Sequence, residues 1–517
     1  MGQYLPSLSQ SKPLLHKIGL YTSPHLRFVR ERIQINNQPL SEEIFAKYFF
    51  DIWDRLEDAA KARGEAVDVT AKPVYFRFLT LMAFHTYMSE GVDTAVIECG
   101  VGGEYDSTNI VTAPTVTGIT SLGIDHVAML GNTIEEIAWH KAGIMKVGAP
   151  AFTSPQPVEA LRVLENRAAE KATPLKVVEK NPQLSKIKLG LAADFQVSNA
   201  ALAVAVASAH LQALGHPITR SRELEVQKET LQDEDVQMKE EKDETDILEE
   251  ADYGQSYTKS FQGDDLHIGQ GNFDRENHGR NDIETDQGHV YKDNFQKEHI
   301  RIDRGKGHKI DPQEEGLHKD KFHSAFTLPP EFIHGLQNVH WPGRCETRHE
   351  ANITWHIDGG HTLESIEAAG RWFASQIHQH FQPGHGSPRI LIFNQQTRDA
   401  GALARALHRT LATALHDDRP FAHAIFCPNL TFRDAGYSPD LVSVNTNAQE
   451  VKQLEVQKRL AATWGEIDSQ AKVAVVGTIE EAVERVREIA KGEGEVRVLV
   501  TGSLHLVGGF LDVLERR

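Results

Sequence analysis

The sequence predicts an α/β protein in which parallel sheets are covered by helices. The segment "DTAVIECGVGG" at 93–103 is an apolar strand that ends in glycines, and it follows the helix-like "FRFLTLMAFHTYMSE" at 76–90. Strand, polar or glycine-rich turn and, usually, helix recur at 353–373, 389–408, 423–429 and 496–515. Buried strands that alternate with helices are typical of parallel sheets. Because 517 residues exceed what one core usually holds, we expect at least two domains.

Composition excludes several classes of protein. No apolar run approaches the roughly eighteen residues of a membrane span, so we expect a soluble chain without one. The three cysteines Cys99, Cys345 and Cys427 form no CxxC pair, which argues against a disulfide framework or a structural zinc site. Residues 221–250 hold 13 acidic and 4 basic residues, so they contribute −9 of the net charge of −18. The remainder gives no indication of a nucleic-acid partner.

The first 30 residues give little indication of the cellular compartment. Residues 1–30 contain no Asp or Glu, but their arginines occur only at Arg27 and Arg30, inside a segment that belongs to the fold. We therefore expect a cytoplasmic protein, with a mitochondrial form as the alternative. Nothing indicates a coiled coil, and we expect a monomer.

Residues 220–325 predict a low-complexity insertion. They are rich in Glu, Asp, Lys, Gln, His, Asn and Gly and sustain neither helical nor strand periodicity. Such a segment buries too little apolar surface to offset its chain entropy, so we expect it to be disordered and dispensable. Its histidines are irregularly spaced and have no cysteine partners, which does not favour a metal site.

Polar residues follow three predicted strands. Ser23 follows "IGLYT", Glu98 follows "AVI", and His126 follows "TVTGITSLGID". Because ligands bind beyond the carboxyl ends of parallel strands, a hydroxyl, a carboxylate and an imidazole are expected to surround a hard divalent ion there. The alternatives are that Glu98 pairs with an arginine and that His126 is a core histidine.

Lys141 lies at the end of a helix-like segment that begins near Asn132 or Thr133. Glu135 and Glu136 occupy its first turn. On residues alone, Lys141 could be no more than a cation favourably placed at a helix C-terminus.

Several strings of the chain resemble the folylpolyglutamate synthases of the Mur ligase family. They include "GLYTSPHL", "VIECGVGGEYDSTN", "SLGIDH", "IAWHKAGIMK", "WPGR", "IDGGHT" and "VTGSLHLVGG". They occur in the family's order and cover nearly all of the chain outside the insertion. The resemblance implies a truncated P-loop-type ATPase domain at 1–219 that is completed at 326–345, with the insertion at 220–325. It also implies a Rossmann-like glutamate-ligase domain at 346–517.

The activity that the resemblance implies is ATP-dependent addition of L-glutamate to the γ-carboxyl of a folate, through an acyl phosphate. Folate, L-glutamate and ATP are the small-molecule partners, with Mg²⁺ as cofactor and K⁺ possible. Dihydrofolate synthase, which differs in its acceptor, is one alternative. A non-catalytic folate-binding or regulatory protein is the other.

The resemblance also implies roles for particular residues. Those that match the magnesium ligands are Ser23, Glu98 and His126. Lys141 matches a lysine that CO₂ carbamylates. Those that match nucleotide contacts are Asn199, Arg344, Asp358 and His361, the last two also being catalytic. Those expected against the substrates are Ser23, Pro24, His25, Arg30 and Arg32 for the folate, and Ser503 for glutamate.

One family feature is not found in the chain. Family members carry a glycine-rich phosphate loop close to GTKGKGS before the "TSPHL" strand, whereas the 22 residues before Ser23 contain no GxxGKS. The "DRGKGHK" at 303–309 has no flanking strand and is not a candidate. We therefore expect the 517-residue chain to bind ATP poorly and to have negligible ligase activity.

Overall fold

Three β-sheets organise the part of the chain that the computed structural model describes. The described residues are 15–68, 71–216, 328–379, 387–396, 398–433 and 454–516. The predicted insertion at 220–325 lies outside them, so its expected dispensability stays a prediction. None of the described helices is long and apolar enough to cross a bilayer.

The first sheet contains β1 (Ile18–Tyr21), β2 (Ile33–Ile35), β3 (Gln38–Pro39) and β4 (Thr94–Ile97), in the order β3-β2-β1-β4. β1 is parallel to β4 and antiparallel to β2. Helices α1 (Glu42–Ala62) and α2 (Tyr75–Ser89) pack against this sheet through a core that includes Tyr21, Ile33 and Met82. The strand predicted within 93–103 is confirmed as the shorter β4, and the helix predicted at 76–90 is confirmed as α2.

The second sheet contains three short parallel strands, β5 (Thr117–Ile119), β6 (Ala151–Thr153) and β7 (Leu175–Val177). Its helices are α3 (Val127–Leu130), α4 (Ile134–Lys141), α5 (Val158–Glu170) and α6 (Asp194–Ala213). Thr133 and Glu136 cap the start of α4 reciprocally, so this helix begins where the sequence predicts.

The third sheet contains β8 (Glu346–Glu350), β9 (Ile353–Ile357), β10 (Arg389–Phe393), β11 (His423–Phe426), β12 (Lys472–Val475) and β13 (Val496–Thr501). Their order is β12-β11-β10-β13-β9-β8, and only β8 is antiparallel to its neighbour. Helix α7 (Pro330–Asn338) precedes this sheet and packs against α6. The helices of the sheet itself are α8 (Leu363–Gln379), α9 (Ala400–Leu415), α10 (Glu455–Ile467), α11 (Ile479–Glu493) and α12 (Leu504–Glu515). Helices α8, α9 and α10 cover one face of this sheet, and α11 and α12 cover the other.

Ion pairs join the loop after β1 to the third sheet's last helix. Arg27 contacts Asp512 at 3.4 Å and also pairs with Glu515, both on α12. Glu515 in turn pairs with Arg348 on β8 at 3.2 Å. The segment that carries Ser23 is therefore fixed to α12 by charge as well as by packing.

His210 on α6 links the first sheet to the second. Its Nε2 lies 3.1 Å from Thr94 Oγ1 at the start of β4, and its Nδ1 lies 2.5 Å from Thr115 Oγ1, just before β5. Burial lowers the pKa of His210, which therefore stays neutral to a lower pH than a free histidine.

We predict that this histidine makes stability fall as the pH falls. In the unfolded chain it binds a proton near its ordinary pKa of 6.5, whereas the folded pKa is lower, so the unfolded state takes up more protons below that pH. The free energy of unfolding, measured by urea titration, should decrease between about pH 7.5 and 5.5. His210→Gln should be less stable at pH 7.5 and show a shallower decrease; an equal slope in both proteins would contradict the prediction.

Candidate functional site

Glu98 lies just beyond β4, beside the end of β1. Its Oε2 accepts a hydrogen bond from the Thr22 hydroxyl and another from the Ser23 amide at 3.0 Å. The carboxylate is exposed, and no arginine or lysine among the described residues forms an ion pair with it. Within that part of the chain, the alternative of a Glu98–arginine pair has no support.

A cavity of about 910 Å³ opens at this strand end. It is lined by six residues that the sequence analysis assigned to ligands: Ser23, Pro24, His25, Glu98, Asn199 and Arg344. Helices α6 and α7 and the turn around Trp341 supply most of its other walls. The structure thus brings residues from four distant segments to one space of the size that holds a small molecule.

The two arginines expected at the folate do not line this cavity. Arg30 donates to the Leu40 carbonyl at 3.2 Å and lies over the Phe28 ring. Arg32 Nε donates to His25 Nδ1 at 2.9 Å. A guanidinium can only donate, so His25 Nδ1 is the accepting nitrogen and a neutral His25 carries its proton on Nε2. The structure therefore favours a positioning role for Arg32, through His25.

His126 and Lys141 belong to the segment between β5 and β6, and neither lines the 910 Å³ cavity. His126 follows β5 with a left-handed backbone (φ 52°), and its amide donates to Asp125 Oδ1 at 2.7 Å. Lys141 is the last residue of α4. Burial raises the pKa of the Cys99 thiol, and the positive charge of Lys141 acts against that increase.

Asp358 lies 5% exposed beneath the turn that follows β9. Its Oδ2 accepts the Cys345 N–H and its Oδ1 accepts the Gly360 N–H, each at 2.9 Å. Burial raises the pKa of the Asp358 carboxyl, and the Arg344 charge and these hydrogen bonds oppose that shift. Both oxygens are thus occupied by the chain itself. These contacts hold the turn between Cys345 and Gly360, and the expected contact of Asp358 with the nucleotide stays a prediction.

His361 and Ser503 lie at the carboxyl edge of the third sheet. His361 Nδ1 lies 2.9 Å from the Gly359 carbonyl, and burial lowers its pKa. Ser503 caps α12 by accepting the Leu506 amide at 3.5 Å. Neither residue lines the 910 Å³ cavity, although Leu504, next to Ser503, does.

The connections around β13 mark a crevice at the same edge. The helices after β9 and β10 cover one face of the sheet, whereas the helix after β13 covers the other. Ligands of open α/β sheets bind where neighbouring connections diverge in this way. The loops that meet there carry His361, Arg398 and Ser503.

Two residues of this region were missed by the sequence analysis. Arg398, after β10, forms an ion pair with Asp125 at 2.9 Å. His505 is half-buried at the start of α12; burial lowers its pKa, and His25 and His361 add to that decrease. Neither periodicity nor motif spacing indicates that Arg398 lies near Asp125 or that His505 lies near His25, because these residues are far apart in the sequence.

The donor set fits a divalent cation in part. Glu98 presents an exposed carboxylate of which, among the described residues, only Oε2 accepts hydrogen bonds, from the Thr22 hydroxyl and the Ser23 backbone amide. Oxygen ligands of this kind suit Mg²⁺. No cluster of three or more His, Cys, Asp or Glu side chains suited to a metal occurs in the described ranges.

Solved structures resemble this fold. The chain matches a Mycobacterium tuberculosis folylpolyglutamate synthase complexed with ADP, with a TM-score of 0.59 and 19% identity over 97% of this chain and 85% of that one. It also matches a folylpolyglutamate synthase in complex with AMPPCP and folate, with a TM-score of 0.54 and 19% identity over 96% and 84% of the two chains. The chain therefore has the α/β fold of these solved folylpolyglutamate synthases, as the sequence predicts.

Sequence similarity identifies the family. No protein-family model matches the chain. A folylpolyglutamate synthase of Neurospora crassa is 38% identical over 505 residues, which span 97% of this chain and 75% of the relative. The chain belongs to the folylpolyglutamate synthase family.

We predict that Asp358→Asn destabilises the protein without changing the shape of the residue. An amide offers one accepting group where the turn needs two, so either the Cys345 or the Gly360 N–H loses its partner. The free energy of unfolding should fall by about 1–3 kcal/mol in urea titrations. The exposed Asp194→Asn is the matched control and should stay within about 0.5 kcal/mol. Equal midpoints for the two variants would refute the role given to Asp358.

Proposed function

We propose that this protein adds L-glutamate to the γ-carboxyl of folates with ATP as the energy source. The observation that carries the proposal is the cavity beside Glu98, which gathers Ser23, Asn199 and Arg344 in a chain of this family. The complex of a structural neighbour with AMPPCP and folate supports both ligands.

Two bond exchanges account for the reaction. The γ-carboxylate of the folate attacks the γ-phosphorus of ATP, which forms an acyl phosphate and releases ADP. The amino group of glutamate then attacks the acyl carbon, the C–O bond to phosphate breaks, and an amide and inorganic phosphate result after loss of a proton. Charge gathers on phosphoryl oxygens in the first exchange, so cationic groups at the site stabilise its transition state.

The residues of this chain divide the work. Arg344, Asn199 and His361 bind and orient the nucleotide. Asp358 holds the turn that carries Arg344. His25, fixed by Arg32, faces the folate together with Ser23 and Pro24. Ser503 lies toward the glutamate. Glu98, Ser23 and His126 would hold Mg²⁺, which supplies positive charge to the phosphates when bound.

Incorporation of labelled glutamate tests this proposal. The acceptors are tetrahydrofolate and, for the dihydrofolate synthase alternative, dihydropteroate. We expect transfer to tetrahydrofolate by the chain joined to a GTKGKGS-type segment and little by the 517-residue chain, because loop amides hold the β- and γ-phosphates. Failure of both would contradict the ligase proposal, whereas strong activity of the shorter chain would show that other groups hold the phosphates.

We predict that Glu98→Gln lowers the rate of the active version about a hundredfold or more. The amide keeps the shape but removes the charge that would bind the cation near the transferred phosphoryl group. Initial rates at saturating ATP measure the effect, and raising Mg²⁺ should restore part of it. Glu159→Gln, on the exposed start of α5, is the control and should keep the wild-type rate. A Glu98→Gln protein as active as this control would remove Glu98 from the site.

We predict that Lys141 acts as a carbamate. Lys141 is the last residue of α4, and among the described residues its ammonium makes no ion pair. Lys141→Arg keeps the positive charge of the side chain but cannot be carbamylated. The rate of glutamate incorporation should therefore fall about tenfold or more. The wild-type protein should lose activity in bicarbonate-free buffer and regain it on adding bicarbonate. A fully active Lys141→Arg variant would refute this role.

A further inference from the structure

One ion pair joins the second sheet to the third at the candidate site. Arg398 Nη2, after β10, lies 2.9 Å from Asp125 Oδ1, after β5. The two residues are 273 positions apart in the chain. About a third of each side chain is exposed, so the contact is partly shielded from solvent.

The same oxygen of Asp125 also fixes the backbone of the next residue. Oδ1 accepts the His126 amide at 2.7 Å, and His126 adopts the left-handed conformation there. A non-glycine residue pays an energetic cost in that conformation unless local contacts hold it. The direction of the His126 side chain therefore depends on where the Asp125 carboxylate lies.

The arginine end of the pair lies at the crevice beside β13. Arg398 and Arg344 both act on His361 to lower its pKa, and Asp125 acts to raise it. The pair therefore joins the turn of His126 to the edge that carries His361. An ordinary exposed ion pair would couple only its own two side chains, whereas this one also fixes a backbone turn.

We propose that Asp125 is a positioning residue for the ligase reaction. Its carboxylate holds the His126 turn against Arg398, and so fixes this turn relative to the sheet edge that carries His361. This inference rests on the proposed function. Asp125 does not line the 910 Å³ cavity. It acts through His126 on one side and through Arg398 on the other.

Hydrogen exchange of the 517-residue chain tests the contact without any activity. D125N, R398Q and the double variant form a cycle, with the His126 amide and its neighbours as the readout. We expect at least threefold faster exchange in D125N and in R398Q, and no further increase when they are combined, because each removes the same pair. Faster exchange of this turn in the wild type at 1 M NaCl is also expected. Unchanged exchange in R398Q, or multiplied effects in the double variant, would overturn the inference.

Rates of the version that incorporates glutamate test the catalytic consequence. D125N should lower kcat about five- to tenfold, since a misplaced group loses alignment, and should change KM for ATP and folate less than twofold. In the R398Q background D125N should change kcat less than twofold. An equal effect of D125N in both backgrounds, or none in either, would overturn the inference.

A second ion pair supplies the control. Arg405 and Glu466 pair at 3.4 Å on an exposed surface of α9 and α10, so R405Q and E466Q remove a similar contact away from the site. Both should leave kcat and the exchange of the His126 turn unchanged. If no version of the wild type incorporates glutamate, the proposed function fails, and the exchange cycle alone then supports or overturns the contact.

Discussion

The buried Asp358 carboxylate is the constraint on which the site depends. It ties the N–H of Cys345 to that of Gly360, and so joins the turn that carries Arg344 to the turn that carries His361. Removing a carboxylate from water is costly, and here two backbone hydrogen bonds and the Arg344 charge offset part of that cost. Because the Asp358 carboxylate holds both turns, the position of Arg344 at the cavity is fixed relative to the position of His361 at the crevice.

The site is assembled from all three sheets. Glu98 and Ser23 come from the first sheet, His126 from the loop after the second, and His361 and Ser503 from the edge of the third. Three contacts between them are electrostatic or polar rather than apolar: His210 with two threonines, Arg27 with α12, and Asp125 with Arg398. Polar contacts of this kind specify geometry more than they add stability, which suits a site whose parts have to meet with fixed spacing.

Sequence reasoning reached the fold and part of the site. The mainly apolar runs at 353–357 and 496–501 could be predicted as strands, because strands that are buried on both faces consist mainly of apolar residues. The short "KVAV" of β12 was not predicted as a strand. Ser23, Glu98, Asn199 and Arg344 were expected together and line one cavity. The burial of Asp358 and the binding of Arg32 to His25 were not foreseen. Such contacts depend on side-chain directions in space, which spacing along the chain does not encode.

The position of β13 decides when the third sheet can be completed during synthesis. This strand ends 16 residues before the last residue of the chain, yet it lies between β10 and β9. A ribosome that adds about 5–20 residues per second needs roughly 7–30 seconds between β9 and β13. During that interval β9 and β10 have no partner between them, and their apolar edges are open to other nascent chains. The third sheet therefore stays open at its centre until β13 has left the ribosome.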